Sequence, residues 1–222
     1  MRFKTSLLIL MAFLNSCSSL PDNVASNFKL AYNSIQAAVF GFEDYPITRE
    51  LVDQIPYASM RVKIGKGPAG LLILESKNKK YKKWTSADGV SFIEKNGQIV
   101  KTIGLTNNVT NIRFLNDISF SKKIELKNML NSEYFLSLDN PEVFELKVDL
   151  KIENEGIETI SILDKELSLI HITEEKENKY IRWKLKDHYW VDPNDGFVWK
   201  SIQNIAPNLP PIFIEVTKKP AL

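Results

Sequence analysis

The chain has 222 residues, 44% of them apolar and 25% charged, with 29 basic and 27 acidic side chains. The basic excess, Arg2 and Lys4, falls in the first sixteen positions, so the remainder carries 27 charges of each sign. That balance excludes the excess positive field on which nucleic-acid binding depends, and the aliphatic and aromatic content excludes a disordered chain.

Residues 1–16 have the three parts of an export signal: basic Arg2 and Lys4, the apolar run Leu7 to Leu14, then small residues. Eight apolar residues as a helix rise about 12 Å, far short of the ~30 Å hydrocarbon core, so a permanent span is not expected. Leu14-Asn15-Ser16-Cys17 resembles the lipobox of bacterial lipoproteins, in which Cys17 is acylated and becomes the new N-terminus. Cys17 is the only cysteine of the chain, so no internal disulfide competes for it. Two or more acyl chains anchor a protein stably without a spanning helix. Ser18 stands where aspartate would signal inner-membrane retention in enteric bacteria, which favours the periplasmic face of the outer membrane. The expected partner of this end is therefore the outer-membrane bilayer. Residues 17–22 read as the tether, and 23–222 as one β-rich domain.

Val24, Phe28, Ala31, Ile35 and Ala38 recur at helical spacing and predict an N-terminal helix over 23–40. A short helix is expected from Thr48 to Ile55, closed by Pro56. From about Ala58 the apolar period changes to two, with runs at Arg61 to Ile64, Leu71 to Glu75 and Ser91 to Glu94. The same texture returns in Phe144 to Glu153, Ile157 to Leu163, Leu167 to Glu174, Tyr180 to Lys186 and Phe197 to Gln203. Asn154-Glu155-Gly156 and Asn194-Asp195-Gly196 have the residues tight hairpins need. Lys123 to Leu130 reads equally as a short helix or a strand. The fold class is mainly β: antiparallel meander sheets, as an open barrel or a sandwich.

Sliding the chain by 99 residues aligns Leu71–Ile103 with Ile170–Ile202, and ten of the 33 positions match, among them Trp84 with Trp183, Gly97 with Gly196 and Lys101 with Lys200. This predicts an internal duplication, with one β repeat over about 58–115 and a second over about 144–217.

Trp84-Thr85-Ser86-Ala87-Asp88-Gly89 precedes Asn96-Gly97-Gln98-Ile99-Val100-Lys101-Thr102-Ile103-Gly104-Leu105. Later come Tyr189-Trp190-Val191-Asp192-Pro193 and Gly196-Phe197-Val198-Trp199-Lys200-Ser201. In this order, behind a lipobox, they resemble the YjbF/GfcB family of lipoproteins associated with group 4 capsule and exopolysaccharide genes. Gln98 departs from the arginine expected there. The resemblance implies an outer-membrane lipoprotein of mostly β structure connected with surface polysaccharide. It implies no activity or active site.

No Walker loop, G-x-S-x-G or dinucleotide fingerprint occurs, and His171 and His188 lack metal-ligand spacing, so neither metal nor cofactor is expected. His171 is expected as a half-buried, hydrogen-bonded strand residue beside Leu167 and Leu169. Two sets invite a ligand. Lys77, Lys79, Lys80, Lys82 and Lys83 surround Tyr81 and lead to Trp84 and Asp88, and such a turn suits an anionic glycan or headgroup or else simply solvates a hairpin. Trp183, Tyr189, Trp190 and Trp199 lie beside Asp187 and Asp192, a composition that suits sugar stacking or else core packing. The leading reading is a non-enzymatic component of capsule or exopolysaccharide production or export, contacting anionic polysaccharide or export proteins. A polysaccharide-modifying enzyme and a lipid or lipoprotein carrier are the alternatives. An empty apolar cavity would mark the carrier, and a cleft of convergent carboxylates the enzyme.

Overall fold

The computed structural model describes residues 46–207 and 209–221; the expected helix over 23–40 and the lipidation site Cys17 lie outside them. Helix α1 (Arg49–Gln54) starts where the Thr48 hydroxyl accepts the Leu51 N–H at 3.3 Å, and it stops before Pro56, which cannot follow in a helix. From there alternation takes over in β1 (Ser59–Ile64), β2 (Ala69–Lys77), β3 (Lys82–Ser86), β4 (Ser91–Lys95), β5 (Gln98–Ile103) and β6 (Val109–Phe114). A single turn, α2 (Phe120–Lys123), interrupts it. The chain then runs through β7 (Leu130–Asp139), β8 (Glu142–Ile162), β9 (Lys165–Asn178), β10 (Trp183–Val191), β11 (Val198–Gln203) and β12 (Ile212–Lys218).

These strands form one antiparallel sheet in the order β5-β4-β3-β2-β1-β12-β11-β10-β9-β8-β7-β6. Among the described strands every pairing but one joins chain neighbours; the exception sets β1 against β12, with Arg61 opposite Glu215 and Val62 opposite Ile214. The two edges, β5 and β6, are themselves joined by a short turn, so the sheet is a nearly closed, barrel-like meander. Of the two architectures expected from sequence, barrel and sandwich, it is the barrel.

Strand alternation points one face of every strand inward, and Trp84, Phe92, Tyr134 and Tyr189 are each 1% exposed or less. A buried large side chain stabilises the fold by roughly 1.5–3 kcal/mol. The pocket beside Trp84 and Phe92 measures only about 20 Å³, room for one water. Aromatic rings fill the interior around this pocket.

Because the strands alternate in direction, one rim of the barrel gathers α1, α2, the β2–β3, β4–β5 and β10–β11 turns and the C-terminal residues. The opposite rim gathers the turns after β1, β3, β5, β7, β9 and β11. At the helical rim β8 and β9 outrun their neighbours: β7 pairs with β8 only as far as Ile152, and β10 with β9 only as far as Ile170. Beyond those points they continue as a two-stranded ribbon, whose tip residue Asp164 takes a 3.0 Å bond from Arg49 Nε.

The ribbon corrects one expectation. Asn154-Glu155-Gly156 is no hairpin turn; it is a bulge within the continuous β8, where the register against β9 slips by one residue. Two boundaries also move. Tyr180 to Arg182 form the β9–β10 turn, because Asn178 Oδ1 accepts the Tyr180 and Ile181 N–H groups. Lys123 to Leu130 is neither helix nor strand in the main; α2 ends at Lys123 and Ile124 to Met129 are turns.

Both halves of the expected repeat are strand and turn, and Gly97 and Gly196 each lead into a strand, β5 and β11. The strands nevertheless differ. The first segment supplies β2 to β5, whereas the second supplies β9 to β11, with no counterpart of β4. Trp84 pairs with Leu74, but Trp183 pairs with Asn178, five residues beyond the Thr173 that an equivalent hairpin would require.

Candidate functional site

The lysine-rich hairpin is closed by Asn78, whose Oδ1 accepts the Lys80 and Tyr81 N–H groups at 2.9 and 2.8 Å. Lys79 and Lys80 therefore sit exposed at its tip, and alternation along β3 sends Lys82 and Lys83 to opposite faces. Lys83 turns outward to Glu75, whose carboxyl the Lys83 and Thr85 hydrogen bonds hold below the usual range. Lys82 turns to the rim, where its ammonium lies 2.7 Å from Glu94 Oε1. Glu94 also accepts Trp84 Nε1 at 2.8 Å and the Gly97 N–H at 2.9 Å, tying the hairpin to the β4–β5 turn.

Across the rim, the β10–β11 turn folds on Asp192. Its Oδ1 accepts the Asn194 N–H at 3.0 Å and its Oδ2 accepts Trp199 Nε1 at 3.3 Å. Partial burial would raise this carboxyl, but the Asn194 backbone and side chain, Trp199 and the Lys219 charge outweigh it and hold it low. Phe197 packs edge-on against Trp199, with centroids 5.2 Å apart. Lys219 lies 4.6 Å from the Phe197 centroid and 5.6 Å from that of Trp199, and pairs with Asp195. Lys82 reaches the same Phe197 ring at 5.5 Å.

The hairpin and the late turn thus meet in an open cleft of about 380 Å³, lined by Lys77, Lys82, Glu94, Phe120, Asp195, Phe197 and Lys219. Gly97 forms part of its wall at φ +84, and a Cβ there would overlap the Val198 side chain. Half-exposed rings flanked by carboxylates and ammonium groups can stack on a sugar face, accept hydroxyl protons and pair with an acidic substituent.

Of the residues singled out from sequence, the structure brings Lys77 and Lys82 to the cleft and sets Asp192 and Trp199 beside its Phe197. The others lie elsewhere. Trp84 is fully buried in the core, and its indole reaches the cleft only through Glu94. Asp88 is on the opposite rim, in the β3–β4 turn, where a Ser86 hydrogen bond holds its carboxyl low. Trp190 lies on the outer wall, one face against His171 and Lys200 over the ring. His171 is half-buried and hydrogen-bonded, as its strand position suggested. Phe197, Glu94 and Lys219 were missed. Only the Lys218-Lys219-Pro220 ending hinted at the last of them, and nothing local revealed that β12 ends beside the hairpin.

Asp187, with Trp183 and Tyr189, takes the core-packing alternative. It lies inside the barrel, 0% exposed, accepting Lys176, Tyr189 Oη at 3.0 Å and the Asn204 N–H at 2.7 Å. Burial alone would lower the Lys176 ammonium, but Asp187, Tyr134 and Glu174 outweigh it and hold it above the usual lysine range. Burial, then Asp187 and Glu174, holds the Tyr189 hydroxyl well above its own. A second buried set joins Lys123 from α2 to Glu174 at 2.5 Å, with Gln98 Nε2 donating to the other Glu174 oxygen at 2.8 Å. The position where the family pattern suggests arginine therefore serves the interior. Among the described residues no three His, Asp or Glu side chains converge as metal ligands.

Residues 32–217 match the family described as group 4 capsule polysaccharide lipoprotein gfcB, YjbF, and the chain belongs to it. Two Escherichia coli K12 proteins align over nearly full length. The uncharacterized lipoprotein GfcB is 21% identical over 206 residues, covering 92% of each chain, and the uncharacterized lipoprotein YjbF is 19% identical over 212 residues, covering 94% of each. The crystal structure of the hypothetical lipoprotein YmcC from Escherichia coli K12 shares the fold. It superposes with a TM-score of 0.67 at 20% identity, over 85% of this chain and 96% of that one.

Proposed function

We propose that this capsule-family lipoprotein takes part in capsule or exopolysaccharide production or export by holding glycan at its helical rim, without catalysis. Cys17 carries the acyl anchor, the outer membrane is the bilayer, and polysaccharide-export proteins are its neighbours on the periplasmic face. One observation supports the binding reading above the rest: segments over a hundred residues apart deliver Lys82, Phe197 and Lys219 to one cleft, with Trp199 packed edge-on against Phe197. The ligand class is an anionic polysaccharide whose sugar faces stack on Phe197 and Trp199 while its acidic groups displace Glu94 and Asp195 from the lysines. Affinity electrophoresis through gels containing acidic polysaccharide tests it. Retardation of the parent should weaken with salt and be lost in Lys82→Gln/Lys219→Gln and in Trp199→Ala, whereas equal mobility of parent and variants would sink the reading. For the anchor, Cys17→Ser should abolish palmitate labelling and membrane sedimentation.

A further inference from the structure

On the rim opposite the glycan cleft stand the two most exposed large hydrophobic side chains of the described residues, Tyr180 at 97% and Phe144 at 84%, with the exposed Ile181 next to Tyr180. They are neighbours in the fold. Asn178 Nδ2 donates to the Lys147 carbonyl at 2.7 Å, which fixes the β9–β10 turn against the start of β8, three residues from Phe144.

Both rings are held outward by backbone that a relaxed strand does not adopt. β7 pairs Leu138 with Val143 and Leu136 with Leu146, so Phe144 and Glu145 together face Ser137 in a bulge. Glu145 takes φ +51 there, and its N–H donates to Ser137 Oγ at 3.1 Å. Such a bulge re-aims a side chain out of the ladder. In the β9–β10 turn Asn178 holds Tyr180 and Ile181 by their N–H groups, and Arg182 takes φ +52, where glycine would cost less. Two separate turns thus carry strain that keeps an aromatic ring in solvent.

The surrounding charge selects the partner. Arg113 and Lys147 are taken up by Glu145 and Glu133, whereas the exposed Lys179 and Arg182, on either side of Tyr180 and Ile181, have no acidic partner among the described residues. Aromatic rings with cations beside them suit the headgroup level of a bilayer, where an amphipathic ring is half-immersed and anionic lipid attracts lysine and arginine. The wall is about 30 Å high over the nine residues of β10. Residues 18–45 reach up to roughly 90 Å when extended, or roughly 60 Å with the helix expected over 23–40, so a chain anchored at Cys17 can turn this rim to the membrane. We propose that Phe144, Tyr180 and Ile181 seat the rim on an anionic bilayer, with Lys179 and Arg182 against its headgroups, and so hold the glycan cleft on the side away from the membrane. The seating rests on the acyl anchor, because a patch this small orients an anchored chain and does not retain a free one.

Hydroxyl-radical footprinting of the acylated full chain in vesicles of phosphatidylcholine and phosphatidylglycerol tests the seating, with the Cys17→Ser chain free in buffer as reference. Oxidation of Tyr180 and Phe144 should fall about fivefold on the vesicles, while Tyr57 and Tyr81, exposed at the helical rim, stay within about twofold. Phe144→Ser and Lys179→Gln/Arg182→Gln should each return Tyr180 to within about twofold of the reference. Flotation of the same sample reports the anchor separately. A chain that does not float loses the anchor and the seating together, whereas a floating chain with Tyr180 as reactive as in buffer loses the seating alone. Protection that survives both substitutions, or that disappears on dilution into excess lipid and so belongs to a second copy of the chain, would also overturn it.

Discussion

The barrel interior and the helical rim are built from the same residue types and behave as opposites. Inside, Lys176 and Asp187 meet beside Tyr134 and Tyr189, with side chains 6% and 0% exposed. At the rim, Lys219 and Asp195 meet beside Phe197 and Trp199, with side chains 31% and 45% exposed. The buried carboxylate is saturated by an ammonium, a phenol and an amide, so any new partner must first break bonds that water cannot replace. The rim pair exchanges with solvent at little cost, which suits ions that must be handed to a ligand. Depth, not composition, separates a structural lysine–acid–aromatic cluster from one available for binding.

The contrast breaks most visibly at Asp187. Asp187→Ala strands a buried ammonium and should cost about 3–5 kcal/mol, read from the denaturant midpoint, whereas Lys176→Met/Asp187→Leu should recover most of it. A loss under about 1 kcal/mol for the single variant would put the interior pair in the same class as the rim. Next comes Gly97→Ala, which forces positive φ on a residue with a side chain and crowds Val198; urea unfolding should register roughly 1–3 kcal/mol, with polysaccharide retention reduced. Lys219→Gln sharpens the other side. Its stability should stay within about 0.5 kcal/mol of the parent while low-salt retention falls severalfold. The smallest effect is the pH response of the cleft. Because Asp192 is held low in the folded chain, its contribution is fully present above the unfolded value of about 3.9 and is lost only as pH falls from there through the lower folded value, so retention should stay flat from pH 8 to pH 5.

Much of the barrel was legible in the sequence, because local rules govern it. Period-two runs marked most strands, Thr48 and Pro56 bounded α1, and Asn194 to Gly196 announced a turn. The bulge at Gly156 was not legible, since glycine after asparagine serves a hairpin and a bulge equally, and only pairing with β9 decides between them. The cleft was half legible. Lys82, Asp192 and Trp199 each stood out, but their meeting depends on β1 pairing with β12, a contact between residues about 150 positions apart that leaves no periodic trace. Asp187 and Asp192 looked alike for the converse reason: one faces the lumen, the other a turn, and five residues of sequence do not say where β10 ends.

The pairing of β1 with β12 also orders the events of assembly. Every other ladder among the described strands joins chain neighbours, most across a loop of a few residues and β6–β7 across the turn that holds α2, so these pairings are able to form early and locally. The ring alone must wait for its last strand. Until Ile212 to Lys218 arrive, both β1 and β11 present unsatisfied backbone edges, the state in which a β protein is most exposed to mispairing. A permuted chain, opened between β5 and β6 and joined directly from the end of β12 to α1, would convert that final closure into one more local connection.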